Sequence, residues 1–422
     1  MDNVIDVLRE RGFIDAETSP ELRQITEKPI KVYCGFDPTA DSLHLGNFVG
    51  IMGLAWFQRM GHTPVALVGG ATGMIGDPSG RSLERQFLTA DNIETNLQGI
   101  RKDLEKILHQ GPTPPVFVNN LDWYKEFSIV DFLRDVGKLF RVGPMLAKDS
   151  VRKRLESEDG MSFTEFSYQV LQGYDFLHLY QEKQVVLQIG GSDQWGNITA
   201  GVEVVRKVLG KPVFGLTFPL LLKSDGQKYG KSEKGAVWLS AEKLSPYEFY
   251  QFLFRTSDAD VVRCLKMLTF LPMDEIRKLE AQMKNADYIP NTLQKRLAEE
   301  VTRVVHGEEA LKTALKVTLA AAPGLDTVLN ADDLERISSD MPSSQLSKAE
   351  VVGLSLIDLL VKTELLKSKS EARRMLENGG VYLNNEKMAD ITRHISANDL
   401  LDGRLLLLAV GKKNKKIIRI SE

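Results

Sequence analysis

The chain has 422 residues, of which 43% are hydrophobic and 26% charged, a composition typical of a globular protein of two or three domains. No apolar run approaches the ~18 residues that a membrane span needs, and we expect no signal peptide from the acidic start Met1-Asp2. The two cysteines, Cys34 and Cys264, offer neither a disulfide framework nor a zinc pattern, which favours a reducing compartment, the cytoplasm.

The net charge of −3 is unevenly distributed along the chain. Residues 351–422 contain 13 Lys and Arg against 9 Asp and Glu, a net of +4, so the part before them carries −7. A basic tail on an acidic body favours an anionic partner for the tail. A solvated lysine face has the same composition, and charge alone does not choose between the two.

From about residue 30 to 220, short apolar runs alternate with amphipathic stretches. Strands are predicted at 31–35, 63–68, 115–118 and 185–189, and helices at 48–59, 91–108, 164–181 and 194–209. This alternation predicts an α/β domain with a doubly wound, Rossmann-like parallel sheet covered on both faces. Ligands of such sheets bind beyond the carboxyl ends of the strands, where the turns at Gly35, Gly69-Gly70 and Gly190-Gly191 would lie.

Beyond residue 245 the pattern becomes helical, with helices predicted at 246–255, 259–268 and 293–305. A polar segment through Met341-Pro342-Ser343-Ser344 is predicted to be a linker. The tail then resumes with helices at 354–361 and 370–377 and strands at 381–383, 405–408 and 417–420. We therefore predict a Rossmann-like domain at 1–222, a lysine loop and helical domain at 223–322, a linker at 323–350 and a small α+β domain at 351–422.

Two short runs indicate a site for a polyphosphate. The first is Tyr33-Cys34-Gly35-Phe36-Asp37-Pro38-Thr39-Ala40-Asp41-Ser42-Leu43-His44-Leu45-Gly46-Asn47, which predicts a strand, a tight turn and the start of a helix. Helix N-termini attract phosphate, and Gly46 has no Cβ to keep a nucleotide away. The second is Lys228-Tyr229-Gly230-Lys231-Ser232, whose two lysines suit a polyphosphate that develops charge.

In this order the two runs resemble the two signatures of the class I aminoacyl-tRNA synthetases. The stretches 69–80, 162–176 and 188–197 resemble the bacterial tyrosyl-tRNA synthetase family, and the similarity covers essentially the whole chain. The tail resembles the S4-type RNA-binding domain. The chain departs from the superfamily patterns at two places. The usual His-Ile-Gly-His motif ends here in Asn47, and the usual Lys-Met-Ser-Lys-Ser motif reads Lys-Tyr-Gly-Lys-Ser.

The resemblance implies a tyrosine–tRNA ligase. Such an enzyme makes tyrosyl-adenylate and pyrophosphate from L-tyrosine and ATP with its Mg²⁺, and then transfers tyrosine to the 3′ end of its tRNA. The resemblance also implies a homodimer across which a tRNA spans, no tightly bound cofactor and no metal site. No membrane partner is expected.

The resemblance also assigns roles to residues. Transition-state stabilisation falls to Thr39, His44, Lys228 and Lys231. ATP would be bound by Gly35, Asp37, His44, Asn47, Gly191, Asp193 and Lys231. Tyrosine would be bound by Tyr33, Asp77, Tyr168, Gln172, Asp175 and Gln194. Tyr33 and Asp175 would pair with the phenol, which both donates and accepts a hydrogen bond. Cys34 is either a ribose contact or a buried strand cysteine.

Tyr168, Gln172 and Asp175 are spaced i, i+4 and i+7, so they share one helix face. An ordinary polar helix face has the same spacing. Two groups of cations are candidate tRNA contacts, although a solvated surface charge is the simpler interpretation of each one. They are Arg141, Lys148, Arg152, Lys153 and Arg154, and in the tail Arg373, Arg374, Lys412, Lys413, Lys415 and Lys416.

Two rival functions remain at this point. A tryptophanyl enzyme or another nucleotidyltransferase of the superfamily would not need the pair Tyr33 and Asp175 together with an S4-like tail. A non-catalytic RNA-binding protein built on a synthetase body would be free to lose His44, Asp77 or Lys231, and all three are present.

Overall fold

The computed structural model describes residues 3–79, 89–157, 160–232, 235–320, 334–335, 341–411 and 414–421. The chain divides into two compact units. The first consists of Met1–Ser240 and Thr256–Glu300, and the second of Ala241–Arg255 and Val301–Glu422. Among the helices described in these ranges, none combines the length and apolar composition needed to cross a lipid bilayer.

The first unit is built on a six-stranded sheet. Its strands are β1 (Ala16–Glu17), β2 (Lys31–Phe36), β3 (Thr63–Val68), β4 (Val116–Asn119), β5 (Val185–Gly191) and β6 (Phe214–Phe218). Their order is β1-β6-β5-β2-β3-β4, in which β2 to β6 are parallel and only β1 is antiparallel to its neighbour. The predicted doubly wound parallel sheet is confirmed.

The strand order fixes where a ligand can bind. From β2 the chain moves outward to β3 and β4, whereas β5 and β6 lie on the other side of β2. The direction of winding therefore changes between β2 and β5, and this switch leaves a crevice beyond their carboxyl ends. The glycines predicted to mark the site, Gly35 and Gly190-Gly191, lie at this edge.

Helices cover both faces of this sheet. They are α1 (Val4–Glu10), α2 (Leu22–Ile25), α3 (Leu45–Arg59), α4 (Thr72–Ile75), α5 (Ala90–Leu108), α6 (Leu121–Tyr124), α7 (Ile129–Asp131), α8 (Val142–Leu146), α9 (Asp149–Leu155), α10 (Phe163–Lys183) and α11 (Trp195–Leu209). Helix α3 is buried on almost every side and contacts β2, β3, β5 and α5. It begins at Leu45, three residues before the predicted start, because His44 caps it.

The lysine run continues into a short hairpin, β7 (Lys231–Ser232) and β8 (Gly235–Ala236). The helices that follow are α12 (Pro246–Phe254), α13 (Asp258–Leu268), α14 (Met273–Gln282), α15 (Thr292–His306) and α16 (Glu308–Ala320). The structure divides this predicted helical domain, because α13, α14 and most of α15 belong to the first unit while α12 and α16 belong to the second.

Arg11 explains the attachment of α13 to the first unit. Its buried guanidinium donates hydrogen bonds to the carbonyl oxygens of Lys266, Thr269 and Leu271 at 2.8, 2.7 and 2.8 Å. The same guanidinium lies 4.5 Å from the ring centroid of Trp56 on α3. The last turn of α13 and the residues after it are thereby held to α1 and α3 by one buried guanidinium.

The tail of the second unit has its own sheet and core. The elements are β9 (Ser343–Ser347), α17 (Lys348–Val351), α18 (Leu356–Lys362), α19 (Lys369–Glu377), β10 (Val381–Leu383), β11 (Glu386–Met388), β12 (Leu405–Val410) and β13 (Asn414–Ser421). The strand order is β11-β10-β12-β13-β9. A separate hydrophobic core, which includes Leu359, Leu376, Leu406 and Ile418, lies between this sheet and its helices.

The predicted linker at 323–350 is wrong at its end. Ser343 to Ser347 form strand β9, which pairs in parallel with β13 and completes the tail's sheet. A sheet-edge strand is half exposed, so its polar composition imitates a linker. Residues 348–350 belong to α17, and residues 323–333 and 336–340 lie outside the described residues.

Candidate active site

A cavity of about 320 Å³ opens at the carboxyl ends of β2 and β5 in the first unit. Of the fifteen residues predicted for the tyrosine and ATP sites, every one except Lys231 lines it. These are Tyr33, Gly35, Asp37, Thr39, His44, Asn47, Asp77, Tyr168, Gln172, Asp175, Gly191, Asp193, Gln194 and Lys228. They come from five different parts of the sequence, so the fold alone brings them together.

Tyr33 and Asp175 form the buried end of the cavity. Tyr33 is 1% exposed, and its hydroxyl has no hydrogen-bond partner in the described part of the protein. Asp175 is 2% exposed and accepts hydrogen bonds from Asn120 Nδ2 at 3.1 Å and Trp123 Nε1 at 2.9 Å. Burial raises the pKa of Asp175 to about 7, although these donors lower it. A buried hydroxyl and carboxylate with spare capacity suit a ligand that both donates and accepts, as a phenol does.

Two further carboxylates surround the middle of the cavity. Asp37 accepts from the Tyr168 hydroxyl and from Thr72 Oγ1, both at 2.7 Å. Asp77 accepts from Gln194 Nε2 at 2.7 Å and from the Ser79 amide at 2.9 Å. Each carboxylate is thus held in one orientation by neutral donors, which leaves its negative charge uncompensated by them. An ammonium group would be stabilised at this point of the cavity.

The start of α3 contributes His44 as a polarised donor. His44 Nδ1 accepts the Asn47 amide at 3.3 Å, while Asn47 Oδ1 accepts the His44 amide at 3.2 Å. Because Nδ1 is an acceptor here, the proton of a neutral ring lies on Nε2. A Cβ at Gly46 would lie 2.9 Å from His44 Cε1, so glycine is needed to leave room for the ring. Asn47, which was predicted to bind nucleotide, uses its side-chain oxygen to cap the helix.

The two signature runs are in direct contact. Gly230 has a φ of +93°, and a Cβ there would lie 3.1 Å from the backbone nitrogen of Gly46 and from Leu45 Cβ. The amide of Leu45 donates to the Val237 carbonyl at 2.8 Å, and the amide of Val237 donates to the Gly230 carbonyl at 2.9 Å. Lys228 therefore lines the cavity, whereas Lys231 lies exposed on β7, outside the lining.

Several polar residues of the site were not singled out from the sequence. Asn120 donates to both Asp175 and Thr72 Oγ1, and its own Oδ1 accepts the Ala71 amide at 2.8 Å. Asn119 accepts the amides of Gly70 and Leu121. Asn119 is the last residue of β4 and Asn120 follows it, so the rule that functional groups lie at the carboxyl ends of parallel strands would have identified both. Gln188 on β5 also lines the cavity.

Some of the cations predicted to contact tRNA are exposed, whereas others are partly or fully buried. Arg154 is wrong as a surface contact, because it is 4% exposed and forms an internal ion pair with Glu165 at 2.7 Å. Lys148 is half-buried and donates to Thr199 Oγ1 at 2.9 Å. Arg141, Arg152 and Lys153 are exposed.

In the tail, Arg373 and Arg374 are exposed on α19. Lys416 is half-buried and donates to the Thr363 carbonyl at 2.7 Å. Lys415 is also half-buried, and burial lowers its pKa to about 8. Lys412 and Lys413 lie outside the described residues. The exposed arginines are therefore better placed to meet phosphate than these two lysines.

Comparison with known protein families identifies the chain's relatives. Residues 25–321 match the family model described as tRNA synthetases class I (W and Y). Residues 333–418 match the model of the tyrosine--tRNA ligase SYY-like C-terminal domain. The chain belongs to the tyrosyl branch of the class I tRNA synthetases. The first family model spans every residue that lines the cavity, and the second spans most of the tail's separate sheet.

Individual relatives agree with this membership. The chain is 66% identical over 424 aligned residues to the tyrosine--tRNA ligase of Protochlamydia amoebophila, with all of both chains covered. It is 56% identical to the chloroplastic/mitochondrial tyrosine--tRNA ligase of Arabidopsis thaliana, covering 99% of this chain and 84% of that protein. A C-terminally truncated mitochondrial tyrosyl-tRNA synthetase from Aspergillus nidulans superposes with a TM-score of 0.66 at 33% identity, covering 74% of this chain and 92% of that one.

The pKa of Asp175 makes a prediction for stability. In the unfolded chain this carboxyl loses its proton near its ordinary pKa, but in the folded chain it keeps the proton up to about pH 7. Between these values the folded state binds more protons, so the contribution of Asp175 to the free energy of unfolding falls as pH rises, by up to ~1.4 kcal/mol per pH unit. Asp175→Asn removes this titration.

Chemical unfolding of wild type and Asp175→Asn at pH 5, 6, 7 and 8 measures the difference. We expect the variant to gain stability relative to wild type from pH 5 to 7 and the difference to level off by pH 8. A difference that stays constant from pH 5 to 8 contradicts a raised pKa at Asp175.

Proposed function

We propose that this chain is a cytoplasmic tyrosine–tRNA ligase that uses ATP with its Mg²⁺ as a substrate. The observation that carries the proposal is the buried end of the cavity, where the Tyr33 hydroxyl lacks a partner among the described residues and lines the same space as the Asp175 carboxylate. Phenylalanine would leave the Tyr33 hydroxyl unpaired and would offer no donor to Asp175, and tryptophan has a donor but no acceptor. Free thiols at Cys34 and Cys264 agree with a reducing compartment.

Tyrosine would lie with its phenol at Tyr33 and Asp175 and its ammonium group near Asp77, Tyr168 and Gln172. Its carboxylate would then point toward Gln194 and the start of α3, where ATP binds. A carboxylate oxygen attacks the α-phosphorus, the bond to the bridging oxygen breaks, and pyrophosphate leaves with the electron pair. The site needs only to hold two anions in line and to stabilise the charge that develops.

Four residues are assigned to that charge. His44 donates through Nε2–H, since Nδ1 is occupied by the Asn47 amide. Thr39 donates from the turn after β2, and Lys228 reaches the cavity from the second signature. Lys231, which lies exposed on β7 outside the lining, is assigned to the same charge by the resemblance of its run to the family signature. Asp193, whose pKa is raised by burial, lies beside Gly191 at the end of β5, where a ribose hydroxyl would approach.

The second step joins tyrosine to tRNA. A hydroxyl of the terminal ribose attacks the carbonyl carbon of the adenylate, and AMP leaves. The tail, with exposed Arg373 and Arg374 and a net charge of +4 over residues 351–422, would bind another part of the same tRNA.

Amino-acid-dependent ATP–pyrophosphate exchange across the twenty amino acids tests the function. We expect exchange with tyrosine, and exchange at least ~10-fold weaker with phenylalanine and tryptophan, because unpaired buried polar groups cost about 1–3 kcal/mol each. His44→Ala should lower kcat by about 10²–10³ with little change in the KM for tyrosine, because the lost donor acts on developing charge.

The matched control is His394→Ala, which alters an exposed histidine outside the first unit. It should leave exchange unchanged. Exchange that prefers tryptophan would support the rival enzyme, and a wild-type chain without any exchange would support a non-catalytic RNA-binding protein.

A chain that ends after residue 320 tests the role of the tail. The cut must precede β9, because that strand belongs to the tail's sheet. We expect the shortened chain to retain tyrosine-dependent exchange, since every cavity residue precedes it, and to aminoacylate tRNA poorly. Its tRNA affinity should also depend less steeply on salt, because fewer counterions are released on binding. Undiminished aminoacylation by the shortened chain at all salt concentrations would rule out the tail as a tRNA anchor.

We also propose that the chain acts as a homodimer. Of the eleven large hydrophobic side chains that are exposed among the described residues, seven lie between residues 129 and 163. They are Ile129, Val130, Leu133, Val142, Leu146, Leu155 and Phe163. Such a concentration of exposed apolar side chains is typical of an interface, and a second copy would cover it.

Sedimentation equilibrium tests the homodimer. We expect wild type to be a dimer and the double variant Ile129→Glu, Val130→Glu to dissociate. Ile289→Glu is the matched control, because Ile289 and Ile129 are both 74% exposed but Ile289 lies outside this segment. A monomeric wild type would refute the homodimer.

A further inference from the structure

Helix α5 holds the turn that carries Thr39 and His44. Three residues of the helix, at i, i+3 and i+7, face the segment from Pro38 to Leu43. Asn96 Nδ2 donates to the Pro38 carbonyl at 2.9 Å. At Gly99 the helix backbone approaches so closely that any Cβ would overlap the Asp41 carbonyl. Asp103 completes the series one turn later.

Of the three residues, Asp103 makes the strongest contact with this segment. It is 8% exposed, and a single oxygen, Oδ2, accepts from Ser42 Oγ at 2.8 Å and from the Leu43 amide at 2.9 Å. A charged acceptor makes such bonds shorter and stronger than neutral ones. The amide that donates to Asp103 is that of Leu43, the residue directly before His44.

Asp103 also acts on the second signature through Ser42. Ser42 Oγ accepts the Ser240 amide at 3.1 Å, and the Leu43 carbonyl accepts the Leu239 amide at 2.8 Å. Leu45 then donates to Val237, two residues further along the same pairing. The chain after the lysine run is thus aligned, residue by residue, against the chain around His44, and Asp103 fixes one end of this alignment.

We propose that the stripe Asn96, Gly99 and Asp103 on α5 positions both signatures for phosphate transfer, with Asp103 as the main positioning residue. None of the three lines the cavity, so none contacts the substrates directly. They act by fixing the backbone that carries Thr39 and His44 and by aligning the segment that follows Lys228. The inference rests on the proposed function for its kinetic consequence, but the anchoring itself is independent of activity.

The kinetic test compares four variants in adenylate formation and in tyrosine binding. Asp103→Ala and Gly99→Ala should slow adenylate formation by about 10–10²-fold, because a displacement of about 1 Å has this effect on an aligned reaction. Their tyrosine affinity should stay within about threefold of wild type, since Tyr33 and Asp175 are untouched. Asp103→Asn should be close to wild type, because one amide oxygen can accept both bonds. Glu105→Ala is the control, since Glu105 pairs with Arg101 on the outer face of α5.

Gly99→Ala separates positioning from general stability. Alanine favours a helix more than glycine does, so the substitution supports α5 while displacing the Asp41 carbonyl. Because the displaced group is backbone, the variant also loses some stability, so the expected signature is slower adenylate formation at unchanged tyrosine affinity in a chain that is still folded at the assay temperature. In a His44→Ala background, Asp103→Ala should slow the reaction less than it does in wild type, because part of its effect passes through His44.

Hydrogen exchange provides a readout that does not require catalysis. The amides of Leu43, Leu45 and Leu239 should exchange faster in Asp103→Ala and Gly99→Ala, and those of α3 beyond its first turn should not. Unchanged exchange of these three amides would overturn the anchoring even if wild type proved inactive. Unchanged adenylate formation in both variants, or an equal loss of tyrosine affinity, would overturn the positioning role while leaving the proposed function intact if wild type remains active.

Discussion

The site depends on one buried pair of polar groups, the Tyr33 hydroxyl and the Asp175 carboxylate. Tyr33 is on β2 and Asp175 on α10, so the pair exists only when the sheet and its covering helix are assembled. Burial disfavours the charge on Asp175, and Asn120 and Trp123 partly restore it with two hydrogen bonds. Because the Tyr33 hydroxyl has no hydrogen-bond partner among the described residues, a phenol bound at this end of the cavity would satisfy it.

A second constraint joins the catalytic groups at the other end of the cavity. The two signatures, at 33–47 and 228–232, are far apart in the sequence, yet Gly230 packs against Leu45 and Gly46. Glycine is required on both sides of this contact. At Gly230 the positive φ and the close approach forbid a side chain, and at Gly46 the imidazole of His44 occupies the space. The side chains that we propose to act on one phosphate chain are therefore positioned by backbone contacts.

Much of this arrangement could be predicted from the sequence. Parallel strands and their following glycines were predictable because continuous apolar runs indicate strands buried on both faces. The apolar pattern alone placed the start of α3 at residue 48, three residues late, whereas the run that ends in His44-Leu45-Gly46-Asn47 predicted a helix start where the structure has it. Strand β9 was mistaken for a linker because an edge strand carries polar residues. β1 has only two residues, too few to show a period.

The roles of individual residues were harder to predict from the sequence than the fold was. Arg154 belongs to a run of basic residues, but its helix turns it inward to Glu165, and only the three-dimensional structure shows this. The capping role of Asn47 follows from hydrogen bonds that a motif does not encode. Asp103 has no motif at all, since its partners Ser42 and Leu43 lie about sixty residues away in the chain.

The claim that Tyr33 and Asp175 select a phenol is tested most directly by calorimetric titration without ATP. L-Tyrosine and L-phenylalanine would be titrated at pH 7 in buffers of different ionisation enthalpy. We expect tyrosine to bind at least ~10-fold more tightly, because phenylalanine leaves the buried Tyr33 hydroxyl unpaired. We also expect tyrosine to release a fraction of a proton on binding, because its phenol favours ionised Asp175, whose pKa is about 7. Equal affinities for the two amino acids, or tyrosine binding without proton release, would contradict the claim.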